Sequence, residues 1–245
     1  MGTFKDSLKK WFFTQGTQPT IAENTRVPLL DASGEPIGSA SPTEIYQQMP
    51  FLTGNVGLAY ASTTKLFLAK SVTANLAVAG VWIIEGGKML IVAKDHSASM
   101  AWAENGIGNG GTGYVAERSA SADMAGETKT QTLYTNKGDM AIAAKYALEY
   151  APAGLEDNAN YGTGKWWLPS IGEMLMIFSH IQEVDYLLEL IGGEPISANE
   201  TRNYHTSTEA SPSKYFQFRR AQFGGYVSSQ SKTGVGYVRP VCALY

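Results

Sequence analysis

The pattern of apolar and polar residues is clearest in the middle of the chain, where it predicts a β-hairpin. Residues 81–84 and 89–92 are two apolar runs, Val-Trp-Ile-Ile and Met-Leu-Ile-Val, and Glu-Gly-Gly-Lys lies between them. A Gly-Gly pair suits a primed two-residue turn, because that turn needs positive φ at its central residues. The pattern therefore predicts two antiparallel strands joined at Gly86 and Gly87.

Apolar residues recur at helical spacing in three later segments. The first follows Asp139, which we expect to be its N-cap, and continues to Tyr150. The second begins at Ser170, and Glu173 at the third helical position completes a capping box. The third covers about residues 182–191 and ends at a Gly-Gly pair. These signals predict three helices.

The segments around these helices have weaker patterns. Residues 105–137 are rich in Gly, Ser, Thr and Asn, which predicts a long loop region. Short strands are predicted at about residues 214–220, 223–229 and 235–241. A hairpin, then helices, then several strands is the order of an α+β fold rather than of alternating βαβ units.

The N-terminus has an amphipathic pattern. Phe4, Leu8, Trp11 and Phe12 occupy positions i, i+4, i+7 and i+8, which places them on one side of a short helix. So short a helix is marginal alone, and its aromatic stripe needs a cover. The stripe packs on its own domain or on a partner protein, or, least favoured, on a membrane surface.

Three further segments complete the first 80 residues. Residues 27–38 predict a small hairpin around an Asp-Ala-Ser-Gly turn. Residues 41–49 predict a short helix, because Ser-Pro-Thr-Glu combines an N-cap, a proline at the first helical position and a capping-box glutamate. Residues 51–80 are rich in Gly, Ala, Ser and Thr, and we interpret them as strands or an extended stalk.

Composition and charge exclude several partners. Only 17% of the 245 residues are charged, against about 25% in ordinary soluble domains. The net charge is −3 with no basic block, so we expect no nucleic-acid partner, since binding phosphates requires clustered Lys and Arg. The longest apolar run, residues 76–84, is about half of a spanning helix. We therefore expect no membrane insertion and, without a signal-peptide pattern, synthesis in a cytoplasm.

Residues suited to metal binding or nucleophilic catalysis are few. Cys242 is the single cysteine, which excludes an intramolecular disulfide and a CxxC zinc site. Its place in an apolar strand predicts a buried structural thiol. Residues 106–111 match GxGxxG by letter, but no helical pattern follows them, so we interpret them as a flexible loop. We expect no metal site, no cofactor and no enzymatic activity.

A mixture of aromatic and polar residues near the C-terminus is the candidate ligand surface. Alternation along residues 214–219 places Phe216 and Phe218 on one face and Tyr215, Gln217 and Arg219 on the other. Exposed Tyr and Arg are typical of recognition surfaces. The alternative is that these residues only complete the outer face of a sheet. The candidate contacts are Tyr204, His205, Thr206, Tyr215, Gln217, Arg219 and Tyr226.

Three blocks resemble a known family. Residues 166–174 (Trp-Trp-Leu-Pro-Ser-Ile-Gly-Glu-Met) resemble W-Y-L-P-S-x-x-E-L, residues 203–209 (Asn-Tyr-His-Thr-Ser-Thr-Glu) resemble Y-W-S-S-T-E, and residues 238–241 match V-R-P-V. They occur in this order in C-type-lectin-like domains of bacterial paralogous surface proteins and of variable receptor-binding proteins of phages. The resemblance covers about residues 81–245, and it implies a C-type-lectin-like domain there.

The resemblance also implies roles for single residues. The paired tryptophans would supply apolar area to a loop-rich fold, Glu173 would satisfy backbone donors, and Arg239 would pair inside the domain. His205 and Thr206 depart from the family's usual Trp and Ser, near where variable members present ligand contacts. The calcium motifs of animal C-type lectins are absent, and so is the cysteine pair of the formylglycine-generating enzymes.

The first 50 residues are similar to N-terminal attachment segments in fibre proteins of phages that infect gut bacteria, including the crAss-like group. This likeness implies a virion head or tail fibre or decoration protein, assembled in the host cytoplasm. Residues 1–50 would attach to capsid or tail proteins through Phe4, Leu8, Trp11 and Phe12.

In such a protein, residues 51–80 would form the stalk of a homo-oligomer, commonly a trimer. Residues 81–245 would bind a host-surface or environmental glycan or protein. Two alternatives remain open: a purely structural capsid decoration protein without receptor binding, and a bacterial or prophage binding protein.

Overall fold

The computed structural model describes residues 27–30, 36–40, 56–60, 66–68, 77–105, 107–198, 202–221 and 224–244. The chain forms two compact units, Met1–Met49 and Pro50–Tyr245. The division between them coincides with the boundary predicted at residue 50.

The described residues of the first unit, 27–30 and 36–40, form an antiparallel hairpin. Strand β1 (Val27–Leu30) pairs with β2 (Pro36–Ala40), which confirms the predicted hairpin. The predicted helices at residues 4–13 and 41–49 lie outside the described residues. The same holds for the proposed attachment residues Phe4, Leu8, Trp11 and Phe12.

A five-stranded sheet forms one side of the core of the second unit. Its strands are β3 (Val56–Tyr60), β4 (Leu66–Leu68), β5 (Val78–Glu85), β6 (Lys88–Ala93) and β12 (Val241–Cys242), in the order β12-β6-β5-β3-β4. The predicted hairpin is confirmed as β5 and β6. Its turn residues Gly86 and Gly87 have φ values of 57° and 80°, which glycine adopts without strain.

Of the two interpretations of residues 51–80, strands or an extended stalk, the described residues 56–60, 66–68 and 78–80 agree with strands. All five residues of β3 are buried, and β3 pairs with β5 on one side and with β4 on the other. When both faces of a sheet are covered, the side chains on both sides of an inner strand are buried, so apolar and polar residues do not alternate along it. The low charge of residues 56–60 is therefore explained by their burial in a strand inside the sheet.

Helices and short turns lie between the strands. The helices are α1 (Glu117–Ala120), α2 (Gly126–Lys137), α3 (Ile142–Glu149), α4 (Ile171–Ser179) and α5 (Ile181–Leu190), with 3-10 turns at Gly138–Met140 and Ile196–Ala198. The remaining strands are β7 (Met100–Ala101), β8 (Asn203–Ser211), β9 (Lys214–Ala221), β10 (Gly224–Ser231) and β11 (Val235–Gly236).

Two helical predictions need correction. The region 105–137 is not all loop, because α2 occupies its last third. Few apolar residues mark its buried side, where Lys129, Thr130 and Leu133 pack. Asp139 does not cap α3, because it lies in the preceding 3-10 turn and its carboxylate pairs with Lys145 at 2.8 Å.

The paired tryptophans and the helix that follows them lie in the core. Trp166 and Trp167 are buried, and their indole N–H groups donate to the Tyr161 carbonyl at 2.7 Å and to Glu173 Oε2 at 3.2 Å. The capping box of Ser170 and Glu173 at the start of α4 is confirmed. The segment before α4 is also joined to β12, because Trp167 exchanges two backbone hydrogen bonds with Val241.

Candidate functional site

The candidate ligand residues lie on a three-stranded antiparallel sheet with the order β10-β9-β8. On one face of this sheet, Phe216 and Phe218 are buried, and the Phe218 ring lies 4.7 Å from that of Phe178 in α4. The opposite face, here called the polar face, carries three cross-strand rows. The rows are Asn203–Arg219–Tyr226, His205–Gln217–Ser228 and Glu209–Tyr215–Gln230.

The third row of the polar face is covered by other parts of the chain. Tyr215 stacks on Trp102, with ring centroids 5.2 Å apart and planes inclined by 15°. The Lys232 ammonium lies 5.2 Å from the centre of the same indole ring. The Trp102 indole N–H donates to the Thr206 carbonyl at 2.7 Å. Segments after β7 and β10 therefore close this end of the face.

His205 in the middle row is neutral. Its Nε2 faces the Met100 carbonyl at 2.8 Å and must carry the proton, so Nδ1 accepts from the Tyr215 hydroxyl at 2.6 Å. Burial lowers the pKa of His205 to about 4, although the Met100 hydrogen bond acts in the opposite direction. The ring is a structural link between β8, β9 and β7.

Five of the seven candidate contacts are not on the surface. Tyr204, His205, Thr206 and Tyr215 are fully buried, and Gln217 is 2% exposed. The alternation did place Tyr215, Gln217 and Arg219 on one face, as the register shows. The prediction that this whole face is exposed is wrong, because Trp102 and neighbouring segments cover it. These five residues belong to the scaffold.

The row Asn203–Arg219–Tyr226 forms the open end of the polar face. Tyr226 is 47% exposed, and the Arg219 guanidinium lies 5.6 Å from the centre of its ring. Within the described part of the chain, Arg219 has no carboxylate within ion-pair distance, and no strand pairs with the outer edge of β10. A cation and an aromatic ring are thus presented together at a sheet edge.

Two amide oxygens next to this pair have no hydrogen-bond partner among the residues that the structure describes. They are Asn203 Oδ1 and Gln217 Oε1, both inaccessible to solvent. The Gln217 side chain donates from Nε2 to the Ser228 hydroxyl at 3.1 Å. An unpaired buried acceptor costs about 1–3 kcal/mol. Asn203 and Ser228 were missed in the sequence because only the strand register places them beside Arg219 and Gln217.

Glu209 ties the glycine-rich loop of residues 107–112 to β8. Its buried carboxylate accepts from the Gly110 amide at 2.9 Å and from the Thr112 hydroxyl at 2.5 Å, and it pairs with Lys232. A Cβ at Gly110 would lie 2.2 Å from Leu133 and 2.7 Å from this carboxylate, so only glycine fits. The backbone amides of this loop are thus occupied by the Glu209 carboxylate of the same chain.

The other residues that carry the family resemblance are also internal. Glu173 accepts from the Ser170 amide at 2.9 Å and from Lys88 Nζ at 2.6 Å. Arg239 is fully buried and donates to the carbonyls of Ala93, Lys94 and Glu194 at 2.7–3.1 Å. The expectations that Glu173 satisfies backbone donors and that Arg239 pairs inside the domain are confirmed.

Metal ligands and membrane spans were sought across the described ranges. Their His, Cys, Asp and Glu side chains form no group of three or more that could hold a metal ion. None of the described helices is both long and apolar enough to cross a bilayer. Cys242 is a buried free thiol, as predicted, and burial raises its pKa well above the ordinary value.

Comparison with known proteins gives a fold but no family. No protein-family model matches the chain, and no curated protein matches it. The chain resembles a crystal structure of a fimbrial protein from Bacteroides ovatus, with a TM-score of 0.55 and 13% identity. The match covers 77% of this chain and 48% of that one, so the chain spans about half of the neighbour's length. Helices and sheets combined in this way make the protein an α+β protein.

Proposed function

We propose that this protein is a non-enzymatic binding protein that presents a C-type-lectin-like domain on a virion, as a head or tail fibre or a decoration protein. The observation that carries the binding role is the open end of the polar face. There the Arg219 guanidinium lies 5.6 Å from the centre of the ring of Tyr226, which is half-exposed. Tyr and Arg are the residue types that dominate recognition surfaces.

Three buried groups support the C-type-lectin-like assignment. Glu173, Glu209 and Arg239 come from the three blocks of the resemblance, and each is an internal anchor that joins segments distant in sequence. That is the role expected of residues that define a fold rather than a ligand site.

A second candidate is a bacterial or prophage binding protein. The fold similarity to a fimbrial protein from Bacteroides ovatus is compatible with display at a bacterial surface. Both settings use the same binding surface. A purely structural decoration protein is the third candidate, and it predicts no ligand at the Arg219–Tyr226 pair.

Binding is tested with the full chain on an array of bacterial-surface glycans and purified host-surface proteins. We expect retention of a subset of these, and about tenfold weaker retention for Tyr226→Ala, since an exposed aromatic anchor contributes on this scale. Tyr186→Ala is the matched control, because Tyr186 is 58% exposed on α5, away from the polar face. Absence of any binding would favour the purely structural role, and equal loss in both variants would exclude this surface.

The oligomeric state is tested by light scattering on the full chain. A fibre or decoration protein that acts as a homo-oligomer, commonly a trimer, implies a mass near three times that of the 26.4 kDa chain, since a trimer gains affinity for repetitive surfaces through multivalency. A monomeric mass across the concentration range would contradict the fibre proposal while leaving the binding surface untouched.

A further inference from the structure

We propose that the outer edge of strand β10 pairs with the same edge of a second copy of this chain, so that two three-stranded sheets join into one continuous sheet. This interaction is separate from ligand binding on the polar face, because it uses the backbone at the border of the sheet. Three observations lead to it: the length of the open edge, the residues that form it, and the positions of its outward backbone groups.

The open edge of β10 is long. β10 has eight residues and is the last strand of its sheet, and no strand pairs with its outer side among the residues that the structure describes. The other border of the same sheet is covered, because Asn203 and His205 in β8 form backbone hydrogen bonds with Tyr237. The remaining end strands of the described sheets have two to five residues. An unpaired strand edge is a template for pairing with another chain.

The residues of β10 lack the features that protect an open edge. The strand reads Gly-Gly-Tyr-Val-Ser-Ser-Gln-Ser, with no charged residue and no proline. Its register against β9 is continuous from Gly224 to Ser231, without a bulge. Charged side chains, prolines and bulges are the means by which natural edge strands avoid one another. Two copies of this strand therefore meet neither charge repulsion nor a distorted backbone.

The backbone groups that point outward follow from a hydrogen bond at the end of the strand. The Lys232 amide donates to the Ser213 carbonyl at 3.0 Å, which continues the β9–β10 ladder by one pair. Hydrogen-bonded pairs occur at every second residue of an antiparallel ladder, so the even-numbered residues of β10 face β9. The N–H and C=O groups of Gly225, Val227 and Ser229 are therefore directed outward.

These three residues form a self-complementary set. Val227 lies midway between Gly225 and Ser229, so antiparallel pairing about a two-fold axis at Val227 sets each outward N–H of one copy against an outward C=O of the other. Val227 then lies opposite the same residue of the second copy. It already packs against a cluster of buried apolar residues, and the pairing extends that apolar contact. The next outward position, Ser231, lies outside the set because its carbonyl accepts from the Gly234 amide at 2.8 Å.

Amide hydrogen exchange of the full chain, followed residue by residue by NMR, tests the pairing directly. One strand edge buries less surface than a standard interface, so we expect weak association, with a Kd on the order of 50 µM. The amides of Val227 and Ser229 should then exchange about fivefold more slowly at about 500 µM protein than at about 5 µM, since about a fifth of the chains remain unpaired at the higher concentration. The amides of Tyr226 and Ser228, which face β9, should be equally protected at both concentrations.

Three variants separate edge pairing from other effects. Val227→Lys places two like charges directly opposite each other and should abolish the concentration dependence. Val227→Thr keeps an uncharged β-branched side chain and should retain it. Val235→Lys is the matched control and should also retain it, because Val235 is 60% exposed in β11, outside the open edge. Protection of the Tyr226 and Ser228 amides in Val227→Lys checks that the strand remains folded.

The outcomes are distinguishable from those of the proposed function. Fast exchange of the Val227 and Ser229 amides at every concentration would overturn the pairing. Protection that does not depend on concentration would also overturn it, since the edge would then be covered within one chain, and so would equal effects of Val227→Lys and Val235→Lys. Ligand retention that is sensitive to Tyr226→Ala would still support the binding role in these cases. A trimer held by other surfaces would keep its mass in Val227→Lys, so the fibre proposal and the edge pairing can fail separately.

Discussion

Replacing Lys232 with methionine should lower the free energy of unfolding by about 3–5 kcal/mol, the scale on which removal of one partner of a buried ion pair acts. Lys232 and Glu209 are both almost fully buried, and Lys232 also donates to the Gly108 carbonyl. Methionine keeps the length and apolar stem of the side chain but leaves the Glu209 carboxylate charged without its cation. Equilibrium unfolding in urea measures the change.

The control for this prediction is an exposed ion pair in the same unit. Lys145→Met removes the partner of Asp139, whose side chain is 79% exposed, and it should leave the urea midpoint unchanged because water screens such pairs. The double variant Glu209→Gln, Lys232→Met should lose less than the two single variants together, since no buried charge is left alone. A Lys232→Met midpoint equal to that of Lys145→Met would show that the pair does not stabilise the fold.

Stability should also fall by about 3 kcal/mol between pH 7 and pH 4 because of His205 alone. The unfolded chain takes up a proton at this residue at about pH 6.5, whereas burial lowers the pKa of the folded state to about 4. In this window the unfolded state binds more protons than the folded state, so acid favours unfolding. The contribution is fully present above pH 6.5 and is lost as the pH falls to 4.

His205→Gln provides the measurement, because glutamine can donate to Met100 and accept from Tyr215 but does not titrate. Its urea midpoint should change less between pH 7 and pH 4.5 than that of the original protein, and the change that remains includes that of His96, whose pKa is also lowered by burial. His180→Gln, on a half-buried histidine beside Glu85, should keep the original steep dependence. An unchanged slope in His205→Gln would mean that another group controls acid stability.

Glu209 affects stability in a lower pH range than His205 does. Desolvation raises the pKa of its carboxyl, but hydrogen bonds from Lys232, Thr112 and Gly110 outweigh this, and the net pKa lies below the ordinary value. Its stabilisation is therefore present above the unfolded pKa of about 4.3 and is lost as the pH falls through the folded pKa. Above about pH 5 the Glu209 contribution is therefore almost intact, whereas that of His205 has already fallen.

The reliable sequence predictions were those with a local physical cause. The Gly86–Gly87 turn depends on positive φ at two adjacent residues, and the capping box of Ser170 and Glu173 depends on donors within one helical turn. Both are decided by neighbours along the chain. The buried thiol of Cys242 is a similar case, since its apolar neighbours already indicate a core strand.

Predictions failed where distant segments decide the outcome. Helix α2 lacks an apolar stripe because it buries Lys129 and Thr130, and their partners are Asp123 and the Leu168 carbonyl. Strand β3 lies in a segment whose composition suits either a strand or an extended stalk, and its pairing with β5 decides for the strand. Residue propensity and periodicity describe only neighbours along the chain. They therefore cannot predict contacts with segments that are distant in sequence.

At the candidate site, the chain's own pattern determined that Tyr215, Gln217 and Arg219 share one face, because alternation along a strand follows from backbone geometry. It also indicated which types of side chain are candidates for contacting a ligand, namely arginine, tyrosine and amide side chains. Only the tertiary structure decided which of them meet solvent, since Met100 in β7, Trp102 after β7 and Lys232 after β10 cover one end of the face. The burial of a residue depends on which segments pack against it. Those contacts are long-range, so the local sequence does not determine them.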